Sequence, residues 1–239
     1  MAQKRNFAEY AARFICLLLG LFILAQGIAF TIIADLGTDA ITSPALVANL
    51  FTTEKLGFEF LTVGRALICV HISLVLLQIV LLRSKYNPIQ LLQVVMAVIL
   101  GLMLDVCLSY TALLPVPSYA AKLGYTLLAC VVSAFGIFTF VKADMVPLSA
   151  EGLCLALSRT FNWKFSRVKV GVDCSMIAIS VVASLILFGA VEGVREGSLI
   201  CACCTGFIIG FFFNIFHFWD KLFAAIGGRK AGDEDDKLA

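Results

Sequence analysis

Along the chain, runs of roughly twenty predominantly apolar residues alternate with short segments where glycine, proline, asparagine and charge collect. The runs fall at 13–33, 60–82, 89–110, 121–141, 167–190 and 198–219. A hydrocarbon layer about 30 Å thick takes about 20 residues of helix at about 1.5 Å rise each, so every run is long enough to cross a bilayer. The cuts between them are explicit. Arg83-Ser84-Lys85-Tyr86-Asn87-Pro88, Pro115-Val116-Pro117-Ser118 and Glu192-Gly193-Val194-Arg195-Glu196-Gly197 combine turn formers with charge. The pattern predicts an all-α membrane protein with six transmembrane helices and no sizeable soluble domain.

Composition agrees with this. Of 239 residues 61% are apolar and 14% charged, and the mean hydropathy is +1.00. Soluble domains run nearer half apolar and a quarter charged. The formal net charge of +2, with no basic stripe interleaved with aromatics, leaves no nucleic-acid surface. The distribution of charge says more than its sum. Fourteen of the eighteen Lys and Arg fall on the side that carries both termini, the 83–88 turn and the 142–169 connection. Only Lys55, Arg65, Lys122 and Arg195 fall on the other. Cytoplasmic flanks are enriched in these residues, which predicts both termini in the cytoplasm. The nine cysteines all lie in apolar segments and read as small buried hydrophobes. Cys201, Cys203 and Cys204 cluster without a His or carboxylate at metal-ligand spacing, so neither metal nor cofactor is expected. Lys4, Arg5 and Arg13 before the uncharged stretch 14–33 imitate a secretory signal, but that stretch is too long for one and is predicted to remain as the first helix.

Beneath the runs lies an internal repeat. Leu18, Leu19, Ala25, Gly27, Ile28, Ala34 and Asp35 match Leu127, Leu128, Ala134, Gly136, Ile137, Ala143 and Asp144 at an offset of 109. Val63 pairs with Val168 and Cys69 with Cys174 at 105, and Gly101 with Gly210 and Asp105 with Asn214 again at 109. A loop difference of four residues accounts for the shift. Each copy holds three spans, an odd number, so the second copy is expected to enter from the opposite face and the two to be inverted. The predicted organisation is a cytoplasmic amino terminus (1–12), a first repeat (13–110), an external linker (111–120), a second repeat (121–219) and a cytoplasmic tail (220–239). Inverted repeats are a recurring plan of secondary transporters, with the site between the halves.

After the first span of each copy the helical pattern breaks at corresponding places, 34–40 and 143–149, and resumes as short apolar helices near 44–51 and 150–159. These are too short to span and suit re-entrant or interfacial pieces. Asp35 and Asp39 in the first break and Asp144 in the second admit two readings. They cap the short helices, or they line two gates of a substrate path.

Asp105 and Asp173 fall inside predicted spans, where an ionised carboxylate costs about 2.5 kcal/mol or more unless it is paired or faces the bundle interior. Lys169 stands one turn from Asp173 and offers an ion pair, whereas Asp105 has no basic neighbour, which favours a role in function. Asn214, the repeat mate of Asp105, has its shape without its charge, so a proton or cation would bind on one side. The predicted substrate or ion path therefore comprises Asp35, Asp39, Asp105, Asp144, Asp173 and Asn214. Gln26, Arg65 and His71 are the other polar groups near the spans; Arg65 suits snorkelling, His71 a hydrogen-bonded core position, and His217 an aromatic-flanked interface. There is no nucleophile elbow, phosphate loop or paired metal-binding histidine, so an enzyme is not expected.

Residues 27–42, Gly-Ile-Ala-Phe-Thr-Ile-Ile-Ala-Asp-Leu-Gly-Thr-Asp-Ala-Ile-Thr, resemble the first-repeat signature of the YitT/YczE-like family of bacterial integral membrane proteins. Lys142-Ala143-Asp144, 157–160 and 166–173 look like its second copy, and the resemblance spans most of 12–218. It implies a bacterial inner-membrane location and a transport role, with no established substrate. The combined expectation is a small secondary transporter or exporter of a small solute, coupled to a proton or cation, surrounded by the lipid bilayer. At 25.9 kDa a homodimer would thicken the wall around the path. The competing expectation is a non-transporting membrane scaffold or regulatory protein whose repeat serves folding alone.

Overall fold

The computed structural model describes residues 6–58, 60–83, 86–216 and 218–227. Lys4, Arg5, His217, the Cys203 side chain and the acidic 233–236 run lie outside the described residues. The regular elements described are helical: α1 (Phe7–Ala34), α2 (Ser43–Leu50), α3 (Val63–Leu82), α4 (Leu92–Thr111), α5 (Tyr119–Lys142), α6 (Ser149–Phe161), α7 (Phe165–Phe188), α8 (Glu196–Ile215) and α9 (Phe218–Gly227). A π-helical turn, Phe51–Lys55, prolongs α2, and a 3-10 turn, Pro88–Leu91, leads into α4. The six helices α1, α3, α4, α5, α7 and α8 are long and apolar enough to cross a membrane, which makes this a multi-pass membrane protein.

Local chemistry sets the helix ends. Thr62 and Ser118 accept hydrogen bonds from Arg65 N–H and Ala121 N–H and so cap the starts of α3 and α5. Left-handed residues end α1, α6 and α7, at Asp35, Asn162 and Gly189. The first helix begins at Phe7, before the run expected from residue 13, because Glu9 and Arg13 are buried and paired at 3.1 Å. The last span ends at Ile215, and the residues that follow turn into the separate helix α9, whose Phe223 is buried.

The centre of the fold is the crossing of α1 and α5. A Cβ added at Gly20 would lie 2.5 Å from Phe140 N, one at Gly27 2.7 Å from Ser133 N, and one at Gly136 2.5 Å from Leu24 N. The two backbones therefore touch, as small residues permit in apolar surroundings. Around this pair α4 packs on α1 and on α3, and α8 packs on α5. The short helices α2 and α6 each pack against α3 and α7. Of the cysteines, Cys16, Cys107, Cys130, Cys154 and Cys201 are buried as expected, but Cys69 and Cys174 face outward from their helices.

Candidate functional site

The first break starts where α1 ends, with Asp35 in a left-handed conformation and its N–H bonded to Ile32 O. Leu36 O then accepts a 2.7 Å hydrogen bond from Gly197 N at the start of α8. Gly37 has φ +94°, and a Cβ there would lie 2.6 Å from Arg195 N, so only glycine fits this close approach. The chain turns back along the last turn of α1, bringing the Thr38 and Thr31 hydroxyls within 2.8 Å. Asp39 stabilises the turn that leads into α2: its carboxylate accepts from Thr42 N at 3.2 Å and from the Thr38 hydroxyl at 3.3 Å. Outside this turn Lys122, on the first turn of α5, lies 2.6 Å from Asp35, and Arg195 donates to Asp35 O at 3.2 Å.

The second break is tied in the same manner at the other end of the crossing. Arg13 of α1 donates to Lys142 O at 3.5 Å and Ala143 O at 3.3 Å, the last carbonyls of α5. The Phe223 ring of α9 covers its guanidinium at 4.4 Å. Asp144 follows with φ 47° and is exposed. The chain enters α6 at Ser149, whose hydroxyl lies 2.5 Å from Nδ1 of His71. Gln78 donates to Ser149 O at 2.9 Å and to Gln93 Oε1 at 3.1 Å, and all four residues are buried. His71 lies midway along α3 and Gln78 nearer its end, so the start of α6 packs against the second half of that helix. Gly152 allows the approach, since a Cβ there would sit 2.6 Å from the Gln93 amide nitrogen.

The starts of α2 and α6 bring charge together. Glu151, on the first turn of α6, lies within electrostatic reach of Lys169, Asp173 and Asp39. The Lys169 ammonium is 2.9 Å from Asp173 Oδ1 and 4.0 Å from Glu151 Oε1. Two carboxylates thus share one ammonium, Asp39 adds a third negative charge within electrostatic reach of Glu151, and the positive ends of two short helices lie beside them. Asp39 is compensated by the Thr42 N–H and the Thr38 hydroxyl, and Asp173 by Lys169. Glu151 Oε2 is shielded from solvent and has no hydrogen-bond partner among the described residues. Burial pushes the Glu151 carboxyl above its ordinary range, with Lys169 acting in the opposite direction. No group of three His, Cys, Asp or Glu among the described residues has an arrangement that would hold a metal ion.

One family model matches residues 11–214, a stretch that contains both breaks and the charged cluster. The chain belongs to DUF6198, a family of unknown function. No curated protein and no solved structure matches it.

In this DUF6198 member the predicted path residues separate. Asp39 and Asp173 join the charged cluster, while Asp35 lies at the tie to Lys122 and Asp144 at the α5 end. Asp105, for which the sequence offers no basic neighbour, is satisfied by the start of α3: its carboxylate accepts from the Thr62 hydroxyl at 2.6 Å and from Gly64 N at 2.8 Å. Asn214 is exposed on α8, away from the charged cluster. Arg65 is exposed and bonded to Phe60 O at 2.6 Å, and Gln26 bridges α1 to Thr111 of α4 at 3.1 Å. Sequence reading missed Glu151. The available signal was an isolated acid in the otherwise apolar 148–157 stretch, one turn after a break, with Thr42 as its counterpart at the offset of 109.

Proposed function

We propose that this chain is a secondary transporter that moves a small solute across the bacterial inner membrane, built from two inverted three-span repeats with both termini in the cytoplasm. It is not an enzyme in this reading. The observation that carries it is the reciprocal tie of the two breaks. Lys122 reaches Asp35 after α1, and Arg13, its counterpart at the offset of 109, reaches the carbonyls that end α5. Equivalent basic residues so hold equivalent breaks at opposite ends of one helix pair, as the two gates of an inverted repeat require. The resemblance of residues 27–42 to the YitT/YczE-like signature agrees with it.

Between the gates, the path passes the starts of α2 and α6, with Asp39, Glu151 and Asp173 along it and Glu151 carrying the coupling proton or cation. Polar groups at such depth need partners, and Thr31 supplies one to the Thr38 hydroxyl, His71 one to the Ser149 hydroxyl and Gln78 one to the Ser149 carbonyl. Asp105 braces the wall by holding α3. A homodimer would thicken that wall.

Reconstituted liposomes enclosing a pH-sensitive dye test the reading. Inorganic cations, amines and organic acids are added one at a time, and a solute of the transported class drives proton movement that Glu151→Gln abolishes. Solute-independent silence across the panel, together with cysteines at Thr38 and Ser149 that never change their sidedness of labelling, would overturn it in favour of a static scaffold.

A further inference from the structure

The turn between α6 and α7 carries a pattern that neither gate nor cluster uses. Arg159, Phe161, Trp163, Lys164, Phe165 and Arg167 alternate basic and aromatic side chains, and all six are exposed. Phe161 and Trp163 stack at 5.1 Å and remain 49% and 60% exposed. In a multi-pass protein such rings sit at the headgroup level, where neighbouring cations attract anionic lipid.

Beside this turn a cavity of about 490 Å³ runs along α7, lined by Leu157, Trp163, Arg167, Val168, Gly171 and Val172 and reaching Ser175. From Arg167 to Ser175 the helix rises about 12 Å. Arg167 is the one charged lining residue, and it stands at the end where α7 begins. Gly171 opens the slot, since no atom lies within 4 Å of the place its Cβ would occupy. The result is an apolar trough with a guanidinium at its mouth.

We infer that this trough binds one acyl chain of an anionic phospholipid whose phosphate pairs with Arg167. A zwitterionic lipid offers the same chain but answers the three basic residues less well, and a soluble phosphate has no use for the trough. The site is independent of the transport reading, because it lies on the outer face of the α6–α7 pair and would serve a scaffold equally.

The test follows thermal unfolding of the full chain in detergent with added phosphatidylglycerol, phosphatidylcholine or inorganic phosphate. Phosphatidylglycerol raises the midpoint by on the order of 5 °C, and the other two leave it within error. Arg167→Gln removes the rise. Gly171→Leu, which fills open space and keeps every charge, also removes it, so the outcome does not depend on one variant folding. Equal shifts from both lipids, a shift from phosphate alone, or a phosphatidylglycerol shift that survives Gly171→Leu would overturn the assignment.

Discussion

Arg13 and Lys122, 109 residues apart in the chain, each reach across the α1–α5 crossing to the break that ends the other's helix. The chemistry is shared but the surroundings are not. Arg13 is 2% exposed, pairs with an equally buried Glu9 and lies under Phe223, whereas Lys122 is 29% exposed and its partner Asp35 67%. One tie is sealed and the other is open to solvent.

That inequality sets the first expectation. Arg13→Gln takes a buried guanidinium away from Glu9 and from two carbonyls, a loss of about 3 kcal/mol. Lys122→Gln removes an ion pair that solvent already screens and costs below about 1 kcal/mol. Thermal unfolding of the two variants in one detergent measures the difference, and equal losses would contradict the burial argument.

Glu151 gives stability a pH dependence of definite sign. Its carboxyl titrates above the ordinary range in the folded protein, so folding binds the proton more tightly than the unfolded chain does. Its contribution is fully present below the unfolded value, about 4.3, and is lost as pH rises through the folded value. Glu151→Gln has no proton to lose. The variant and the parent should unfold alike in acid and diverge towards neutral pH, with the variant the more stable. Unfolding midpoints measured across that range decide it.

Much of the fold was legible in the sequence because the bilayer imposes length and hydropathy on spans. All six apolar runs correspond to helices, and the short helices after both breaks start within a residue of their expected positions. The α9 helix was hidden, since a short amphipathic helix held by one buried Phe223 has no spanning signal. The charged cluster was half legible. Asp173 and Lys169 are neighbours on one helix face, but the approach of Glu151 and Asp39 depends on where the breaks send α2 and α6, which no local pattern encodes. The partners of Asp105 were hidden for the same reason, being a hydroxyl and a backbone N–H 43 and 41 residues away.

Those partners define what Asp105 does. Its carboxylate closes the first turn of α3, where unpaired N–H groups and the helix dipole favour a negative acceptor. Asp105→Asn keeps one acceptor oxygen and loses the charge, for a cost of about 1 kcal/mol, and Asp105→Ala loses both bonds, for about 2 to 3 kcal/mol. Neither change alters the charge of the Glu151 cluster. A ligand-dependent shift in unfolding should survive Asp105→Asn, and its disappearance in a folded variant would move Asp105 from brace to binding site.

The α1–α5 crossing supplies the sharpest structural test. Gly27 and Gly136 are matched in the repeat, and both stand where the partner backbone leaves no room: an added Cβ would meet Ser133 N at 2.7 Å and Leu24 N at 2.5 Å. Backbone atoms cannot rotate aside as side-chain tips do, so the helices must separate and surrender the crossing on which α4 and α8 pack. Gly27→Val and Gly136→Val should therefore abolish monodisperse protein rather than merely lower its midpoint. Gly206, on α8, has no atom within 4 Å of its Cβ position. Gly206→Ala should leave yield unchanged and raise helix stability by a few tenths of a kcal/mol up to about 1 kcal/mol. Size-exclusion profiles of the three variants, expressed side by side, read the result directly. If the valine variants at the crossing behave like Gly206→Ala, α1 and α5 do not hold the bundle together.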